Sequence, residues 1–199
     1  MEKYKVKLTF TEPLLGTAPA NPEIYTEFIG SNAPDGIVPE DEIESLDDVN
    51  ELIDKGTTVF LRVDDQPCLW DYQIKGFFKD ACGMLRRDGQ SRSTKLTAYK
   101  KVIDGLLFVF PRQIPLDLNG GELGILERPL RAQTARGERV ALARSEMAPA
   151  GTELTFQVLV ISSVPKTLLE EWLTYGALRG LGQWRNGGYG RFEYEIEKL

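Results

Sequence analysis

The sequence predicts an α+β fold: an antiparallel sheet with two helices on one of its faces. Three observations predict it. Four short segments alternate polar and apolar residues, the pattern of strands that are buried on one side only. Two further segments repeat apolar residues with helical spacing. Stretches rich in glycine, proline or acidic residues interrupt this series and indicate insertions in surface loops.

The first half of the chain contains one clear strand, an acidic insertion and one helix. KYKVKLTF at 3–10 alternates and is the first strand. The loop EPLLGTAPANP leads into the acidic insertion at 21–56, and TTVFLRV at 57–63 is a further extended piece. The first helix is predicted at 71–87, with Asp71 as its N-cap.

The second half supplies the remaining elements. They are, in chain order, a strand at 104–110, an irregular insertion at 111–150 that ends in the hairpin-like stretch ERVALARSEMAPAG, a strand at 154–162, a helix at 166–179 and a strand at 191–196. Without the insertions the order is βαββαβ, the ferredoxin-like split unit, whose sheet keeps one open face. A length of 199 residues suits a single domain at 1–199.

The charge of the chain is unevenly distributed. The formal net charge is −6, which taken as an average argues against a nucleic-acid-binding protein. Nearly every charge in the insertion at 21–56 is acidic, however, and the remainder of the chain is net basic. Because the local potential attracts a polyanion, a basic face remains possible. The insertion is expected to be solvated and partly helical, with nucleic-acid mimicry or a partner contact as the alternatives.

Residue types that carry common chemistry are scarce. The chain has no histidine, so it lacks the usual proton shuttle and the commonest metal ligand. Cys68 and Cys82 have no metal-ligand spacing and are expected to be buried free thiols. GLGQWR lacks the third glycine of a dinucleotide-binding loop, and we expect neither a cofactor nor a metal. With no long apolar run, the protein is expected to be cytoplasmic, without membrane contact.

The first predicted helix, YQIKGFFKDACGMLRR, has a cationic face. Lys75, Lys79 and Arg86 fall within about 40° of one another at the helical angle of 100° per residue. Gly76 and Gly83 lower the helix propensity and indicate that another group packs close to this helix. The alternative is an ordinary solvated lysine face.

Two other regions add cations. The insertion contributes five arginines, whose forked donors suit phosphate, although such arginines are also common at surfaces: Arg128, Arg131, Arg136, Arg139 and Arg144. The loop before the last strand combines glycines, aromatic residues and arginines, a composition that suits a stacked single strand: Gly182, Trp184, Arg185, Gly187, Gly188, Tyr189, Gly190 and Arg191, with Arg179 just before it. The aromatic residues could instead plug the core.

Three stretches, found in the order that one family has, resemble the RAMP superfamily of repeat-associated Cas proteins, whose ferredoxin folds are RRM-like. WDYQIKGFFKDACGMLRR resembles that family's "SSLKGxxR" helix, and ERVALARSEMAPAGTELTFQVLVI is similar to its "RVxIDR" strand region. LRGLGQWRNGGYGRFEYE looks like its C-terminal glycine-rich loop, and TEPLLGTAP matches the small-residue loop after the first strand. The resemblance covers most of the chain apart from the acidic insertion.

The resemblance implies that the chain binds RNA, with the helix and the glycine-rich loop flanking a groove for guide RNA. The positions carried over are Lys75, Gly76, Arg86, Gly182, Gly187, Gly188, Tyr189 and Gly190. The family's serine pair is Tyr72 and Gln73 here, and its catalytic aspartate has no counterpart in GTAPANPEIY. Binding without cleavage is therefore expected, and the chain is not expected to be an enzyme.

The sequence supports two main hypotheses. In the first, the chain is an RNA- or single-strand-binding subunit of a CRISPR-Cas-like ribonucleoprotein, with guide-like RNA and other subunits as partners. There, Trp184 and Tyr189 divide their roles: one packs beneath the turn, and the other contacts a single strand together with Arg185, Lys75 and Lys79. In the second, a phage- or defence-associated protein keeps the fold and binds proteins or itself. A nuclease is the third alternative.

Overall fold

The computed structural model describes residues 1–20, 57–134, 137–161 and 164–199. The predicted acidic insertion at 21–56 and Arg136 lie outside the described residues. The strands are β1 Glu2–Phe10, β2 Leu14–Leu15, β3 Ala18–Pro19, β4 Thr57–Val59, β5 Leu61–Val63, β6 Gln66–Trp70, β7 Leu107–Phe110, β8 Gln113–Asp117, β9 Gly124–Thr134, β10 Gly137–Ala148, β11 Glu153–Val160 and β12 Phe192–Lys198. The helices are α1 Asp71–Leu85, α2 Tyr99–Leu106 and α3 Lys166–Arg179.

The predicted α+β fold is confirmed. Four antiparallel strands lie side by side in the order β12, β1, β11 and β7, and α1 and α3 connect them as in the ferredoxin-like unit. In β1 every second residue, from Tyr4 to Phe10, is buried, as the alternation predicts. These side chains pack against the apolar sides of α1 and α3, around Phe78 and Trp172.

The opposite face of this sheet carries charged and polar side chains. Lys5 pairs in register with Glu197, and Lys7 with Glu195. The Lys7 ammonium also lies 2.9 Å from the Glu153 carboxylate on the other side. We call the side chains of β1 and β12 on this side the open face, and its rows of opposite charge largely neutralise one another.

The two principal helices lie as predicted, with small differences at their ends. Asp71 is the first residue of α1 and Trp70 precedes it, so the predicted cap position is wrong by one residue. The N–H of Trp70 donates instead to the Gln73 side chain at 2.7 Å. Helix α3 begins after Pro165 and ends at Gly180, whose φ of 86° is one that glycine tolerates best.

The segment at 104–110 is only partly a strand. Residues 104–106 end helix α2, which was not predicted from the sequence, and β7 begins at Leu107. Eight residues are too few for a clear helical period, and only Ile103 of α2 is buried. The helix packs against α1, so tertiary contact supplies what the short pattern lacks.

Regular structure continues where irregular loops were expected. The extended piece at 57–63 divides at Phe60: β4 belongs to a second, five-stranded sheet, while β5 joins the main sheet through β6 and β8, which extends it to seven strands. Asp64 and Asp65 form the two-residue turn between β5 and β6, and both have positive φ.

The insertion at 111–150 is not irregular. It contains β8 and a long antiparallel hairpin of β9 and β10. The stretch ERVALARSEMAPAG, expected to be hairpin-like by itself, forms mainly the second strand of that hairpin, β10. The other edge of β10 pairs with β2 and β4. Among the described residues, no helix is long and apolar enough to cross a membrane.

Candidate nucleic-acid interface

Backbone hydrogen bonds join the glycine-rich loop, residues 180–191, to the segment that follows β1. The N–H of Gly190 donates to the carbonyl of Pro13 at 2.8 Å, and the N–H of Thr11 donates to the carbonyl of Arg191 at 2.9 Å. Within the loop, the N–H of Leu181 donates to the carbonyl of Gly190 at 2.9 Å. The loop is therefore a closed, internally bonded turn.

Most glycines of the loop serve its own packing. A Cβ at Gly190 would lie 1.9 Å from the carbonyl oxygen of Leu181, and one at Gly180 would lie 2.3 Å from that of Tyr189. At Gly182 it would lie 2.9 Å from the carbonyl oxygen of Leu15. Gly188 differs, because the nearest atom to its Cβ position is 3.9 Å away. A close approach from outside therefore has room at Gly188.

Trp184 and Tyr189 stack on one another across the loop. Their ring centroids are 5.0 Å apart and their planes differ by 15°. Gly187 lies against the indole, since a Cβ there would come within 3.0 Å of it. Neither ring plugs the core: Tyr189 is half-buried and Trp184 is 41 % exposed. The predicted contact of one ring with a single strand stays a prediction. Stacking supplies the contact that burial beneath the turn was expected to give.

Arg128 of β9 covers the same indole. Its guanidinium carbon lies 4.4 Å from the centre of the Trp184 ring. The Nε and Nη1 of Arg128 are out of contact with water and have no hydrogen-bond partner in the described structure, so the cation–π contact holds this group in place of hydrogen bonds. We call Arg128, Trp184 and Tyr189 the cation–aromatic stack.

The arginines in the loop and just before it form an ion pair or hydrogen bonds with other residues of the chain. Arg185 Nη1 lies 2.6 Å from a carboxylate oxygen of Asp80 on α1. Arg191 donates to the carbonyl of Leu178 at 3.1 Å, and Arg179 donates to the side chain of Asn186. These bonds tie the loop to both principal helices. The sequence pattern could not give them, because each partner belongs to another element.

The cations predicted on α1 do share one side of the helix, which faces α2. Lys79 Nζ lies 2.8 Å from Asp104 Oδ1, and Lys75 Nζ lies 3.4 Å from the carbonyl of the same residue. Lys75 also lies over the ring of Phe108. Arg86 donates to the carbonyl of Leu96 at 2.8 Å. These cations are half-buried rather than freely solvated.

The remaining candidate positions are more scattered. Gly76 is exposed, and no group packs against it, so the close contact expected there is absent. At Gly83 the expected neighbour is the Tyr99 hydroxyl. Arg144 lies 2.8 Å from Glu127 of the neighbouring strand. Arg131 and Arg139 lie on the paired strands β9 and β10, but their side chains are outside the described residues.

A polar seam, which was not predicted from the sequence, lies where the second sheet meets α1 and the glycine-rich loop. Gln73 donates to Thr17 at 2.7 Å, and Thr58 donates to Gln183 at 3.4 Å and contacts Ser145 at 2.9 Å. Gln73 stands where the resembling family has a serine. Its polarity at the start of an amphipathic helix was the available signal.

Neither cysteine contributes an exposed thiol. Both are buried and free, as expected, and burial raises the pKa of Cys68 to about 12 and also raises that of Cys82. Burial likewise raises the pKa of Asp71 at the start of α1. Within the described ranges, no group of three or more potential metal ligands is present.

Comparison with solved structures finds a similar fold in chains of two CRISPR complexes. A chain of the type III-B Cmr-beta complex bound to cognate target RNA has a TM-score of 0.55 and 12 % identity; the match covers 100 % of this chain and 60 % of that chain. A chain of a type IV-B CRISPR complex has a TM-score of 0.46 and 12 % identity, over 98 % of this chain and 90 % of that chain. The fold expected from the resemblance is thus confirmed.

These likenesses concern the fold. The chain spans 60 % of the length of the type III-B chain that it matches. No protein-family model matches the sequence, and no curated protein matches it.

Proposed function

We propose that the chain is a subunit of a CRISPR-Cas-like ribonucleoprotein in the cytoplasm, that it binds single-stranded RNA there, and that it does not cut it. The observation that carries this proposal is the cation–aromatic stack on the glycine-rich loop. It combines a partly exposed indole, a tyrosine ring and a guanidinium at one edge of the molecule. Bases stack on such rings irrespective of sequence. In the proposed complex a base takes the place of Arg128 over the indole, opposite Tyr189, and the released guanidinium contacts a phosphate.

The fold supports the same proposal. The type III-B complex that contains the similar chain is bound to target RNA. Its likeness to the present chain extends over all of it, including the part that holds the loop. We infer that the loop and the cationic side of α1 border the RNA, as in the resembling family, with other subunits as partners.

The open face of the sheet is a poor alternative binding site. RNA-binding sheets of the RRM type offer aromatic rings for stacking on this face. Here β1 and β12 offer lysine and glutamate in register instead, so the face is close to neutral. RNA is therefore expected at the edge formed by the loop and α1.

The expected absence of cleavage rests on the sequence. The chain has no histidine, and the family's catalytic aspartate has no counterpart in the stretch that follows the first strand. Labelled RNA incubated with the protein and Mg²⁺ should remain intact. Cleavage that disappears in the Asp64→Ala or Asp65→Ala variant would overturn this part of the proposal.

Binding is tested by titrating a fluorescent single-stranded RNA at several salt concentrations. Stacking contributes about 1–3 kcal/mol per base, so Trp184→Ala should weaken binding by about five- to 150-fold. Trp184→Phe keeps a ring in the stack and should retain most of the affinity. The triple variant Lys75→Ala, Lys79→Ala, Arg185→Ala should also flatten the salt dependence, by about 0.7 for each phosphate that the protein no longer neutralises.

A matched control removes as much charge from the other side of the sheet. The variant Lys3→Ala, Lys5→Ala, Lys7→Ala changes the open face and should bind as the parent does. A parent that does not bind RNA would refute the proposal. Equal affinity in the parent and in Trp184→Ala would leave the loop as a surface for protein contact, the alternative hypothesis.

A further inference from the structure

The segment at 86–101, RRDGQSRSTKLTAYKK, is the most basic stretch of the described chain. It carries six cations and one anion in a protein whose acidic residues outnumber its basic ones by 30 to 24. We propose that this basic segment is a second contact for the RNA, one that binds the phosphate backbone at the opposite end of α1 from the glycine-rich loop. The inference rests on the proposed function and adds a site to it.

The cations of this segment are turned outwards. The side chains that are exposed are Arg87, Arg92, Lys95, Lys100 and Lys101. Arg87 and the three lysines form no ion pair or side-chain hydrogen bond within the described part of the chain. This differs from the cations of α1 and of the glycine-rich loop, which are bound to neighbouring groups.

The backbone beneath these cations is held firmly by α3. Glu171 accepts hydrogen bonds from the N–H groups of Arg92 and Ser93, at 2.7 and 3.0 Å, and from the hydroxyl of Ser93 at 2.6 Å. The buried Ser93 hydroxyl in turn accepts the indole N–H of Trp172 at 2.9 Å. The segment is therefore a fixed platform for its exposed side chains, which lowers the entropy cost of binding.

Two lysines lie at the N-terminus of a helix, where a positive charge destabilises the fold. Lys100 and Lys101 lie in the first turn of α2, which contains no acidic residue. The N-terminal turn of a helix carries a partial positive charge, so cations there are unfavourable. A bound polyanion would offset both this cost and the repulsion among the neighbouring cations.

The basic segment and the glycine-rich loop lie at opposite ends of the helical layer. The segment follows the C-terminus of α1 and contacts the first half of α3 through Glu171, whereas the loop follows the C-terminus of α3. Fifteen residues give α1 a length of about 22 Å. Lys75, Lys79 and Arg86 follow α1 on the side that faces α2, and the loop is bonded to Asp80 on another side of the same helix. A strand in contact with both sites therefore has to run along α1.

Phosphate fits this surface better than an acidic protein does. Lysine is depleted at protein interfaces, where its ordering and desolvation are costly. Three exposed lysines and two exposed arginines instead suit binding through counterion release, which requires only charge. Only Arg92 of the five lines the groove that Leu85 forms with Tyr175 of α3. The contact is therefore expected to be insensitive to RNA sequence.

The test replaces the four unpaired cations by neutral side chains of similar length: Arg87→Gln, Lys95→Gln, Lys100→Gln, Lys101→Gln. Binding of fluorescent oligouridylate is measured from low to moderate salt. The dissociation constant at low salt should rise by about tenfold, and the salt slope should fall by up to about 0.7 for each cation removed. The substitutions are exposed, and the urea midpoint should stay at that of the parent.

The control variant carries the same change in net charge on β1 and β12, with three substitutions on the open face and Lys198 on the other side at the end of β12: Lys3→Gln, Lys5→Gln, Lys7→Gln, Lys198→Gln. It should bind as the parent does. If the parent and Trp184→Ala behave as proposed but the basic-segment variant keeps the parent's affinity and slope, the second contact is refuted and the proposed function stands. Equal weakening of RNA binding in the basic-segment variant and in the control variant also refutes it. So does a basic-segment variant that no longer binds poly-glutamate but binds RNA as the parent does. A parent without RNA affinity refutes both.

Discussion

A single side chain, that of Glu146, connects the two sheets. Its carboxylate accepts the N–H of Phe60 at 2.9 Å and pairs with the guanidinium of Arg62. Phe60 is where the chain leaves the second sheet and enters the main one, so its N–H has no strand partner there. The carboxylate satisfies that group and the buried cation together.

The substitution Glu146→Ala should therefore be strongly destabilising. The side chains of Arg62 and Glu146 are only 14 % and 7 % exposed, and removing one partner of such a pair costs about 3–5 kcal/mol. Urea unfolding measures this cost. Glu153→Ala breaks the exposed pair with Lys7 and should cost less than about 1 kcal/mol. A comparable loss of stability in both variants would show that Glu146 contributes no more than a surface charge.

Gly190 and Gly188 lie in the same loop, but the cost of replacing them with alanine has different causes. Both have positive φ, and alanine there costs about 1–2 kcal/mol. Only at Gly190 does the Cβ also meet a carbonyl oxygen, so Gly190→Ala should cost about 1–3 kcal/mol more than Gly188→Ala. The two urea midpoints decide the matter. Equal midpoints would mean that the close approach to Leu181 is relaxed in solution.

At the element scale, the attachment of the glycine-rich loop to α1 also limits its cations. Arg185 and Asp80 form an ion pair whose side chains are 27 % and 35 % exposed. In the proposed complex with RNA, the carboxylate of Asp80 would compete with phosphate for the same guanidinium. The pair stabilises the free loop and weakens its affinity for a polyanion.

Asp80→Ala should therefore bind RNA more tightly than the parent. An exposed pair is worth about 0.2–1 kcal/mol, and releasing Arg185 from it should lower the dissociation constant by about 1.4- to fivefold. Glu153→Ala changes the net charge equally on the open face and should have little effect. An unchanged affinity in Asp80→Ala, or the same gain in the control, would show that Arg185 does not contact RNA.

Elements long enough to show a repeating apolar pattern were predictable from the sequence, and elements of two or three residues were not. The alternation of β1 and the apolar spacing of α1 and α3 are local, and each of these elements lies close to its predicted place. Strands β2 to β5 have two or three residues each, which is too short for any period. Strands β2, β3 and β4 depend on pairing with distant segments, above all with β10, and β5 forms a tight hairpin with β6.

The candidate site divides in the same way. The composition of the glycine-rich loop pointed to Trp184 and Tyr189, and helical spacing pointed to the cations of α1. The stack of the two rings, the cover by Arg128 and the pairing of Arg185 with Asp80 all join different elements or opposite sides of a turn. No spacing along the sequence encodes them, because they arise only when the fold is complete.

At the scale of the whole molecule, the distribution of charge matters more than its sum. The net charge is −6, yet cations are concentrated on α1 and in the basic segment that follows it along the chain. The open face pairs its lysines and glutamates instead. We therefore expect RNA to follow a path along α1, from the cation–aromatic stack to the basic segment, and to stay off the open face.

Ultraviolet crosslinking of bound oligouridylate, followed by mass spectrometry of the peptides, tests this path most directly. We expect crosslinks in the peptide with Trp184 and Tyr189 and in peptides from the basic segment at 86–101. Peptides of β1 and β12 from the open face should carry none, although they contain tyrosine and phenylalanine. Crosslinks concentrated on β1 and β12, or the absence of any from both ends of α1, would contradict the proposed path.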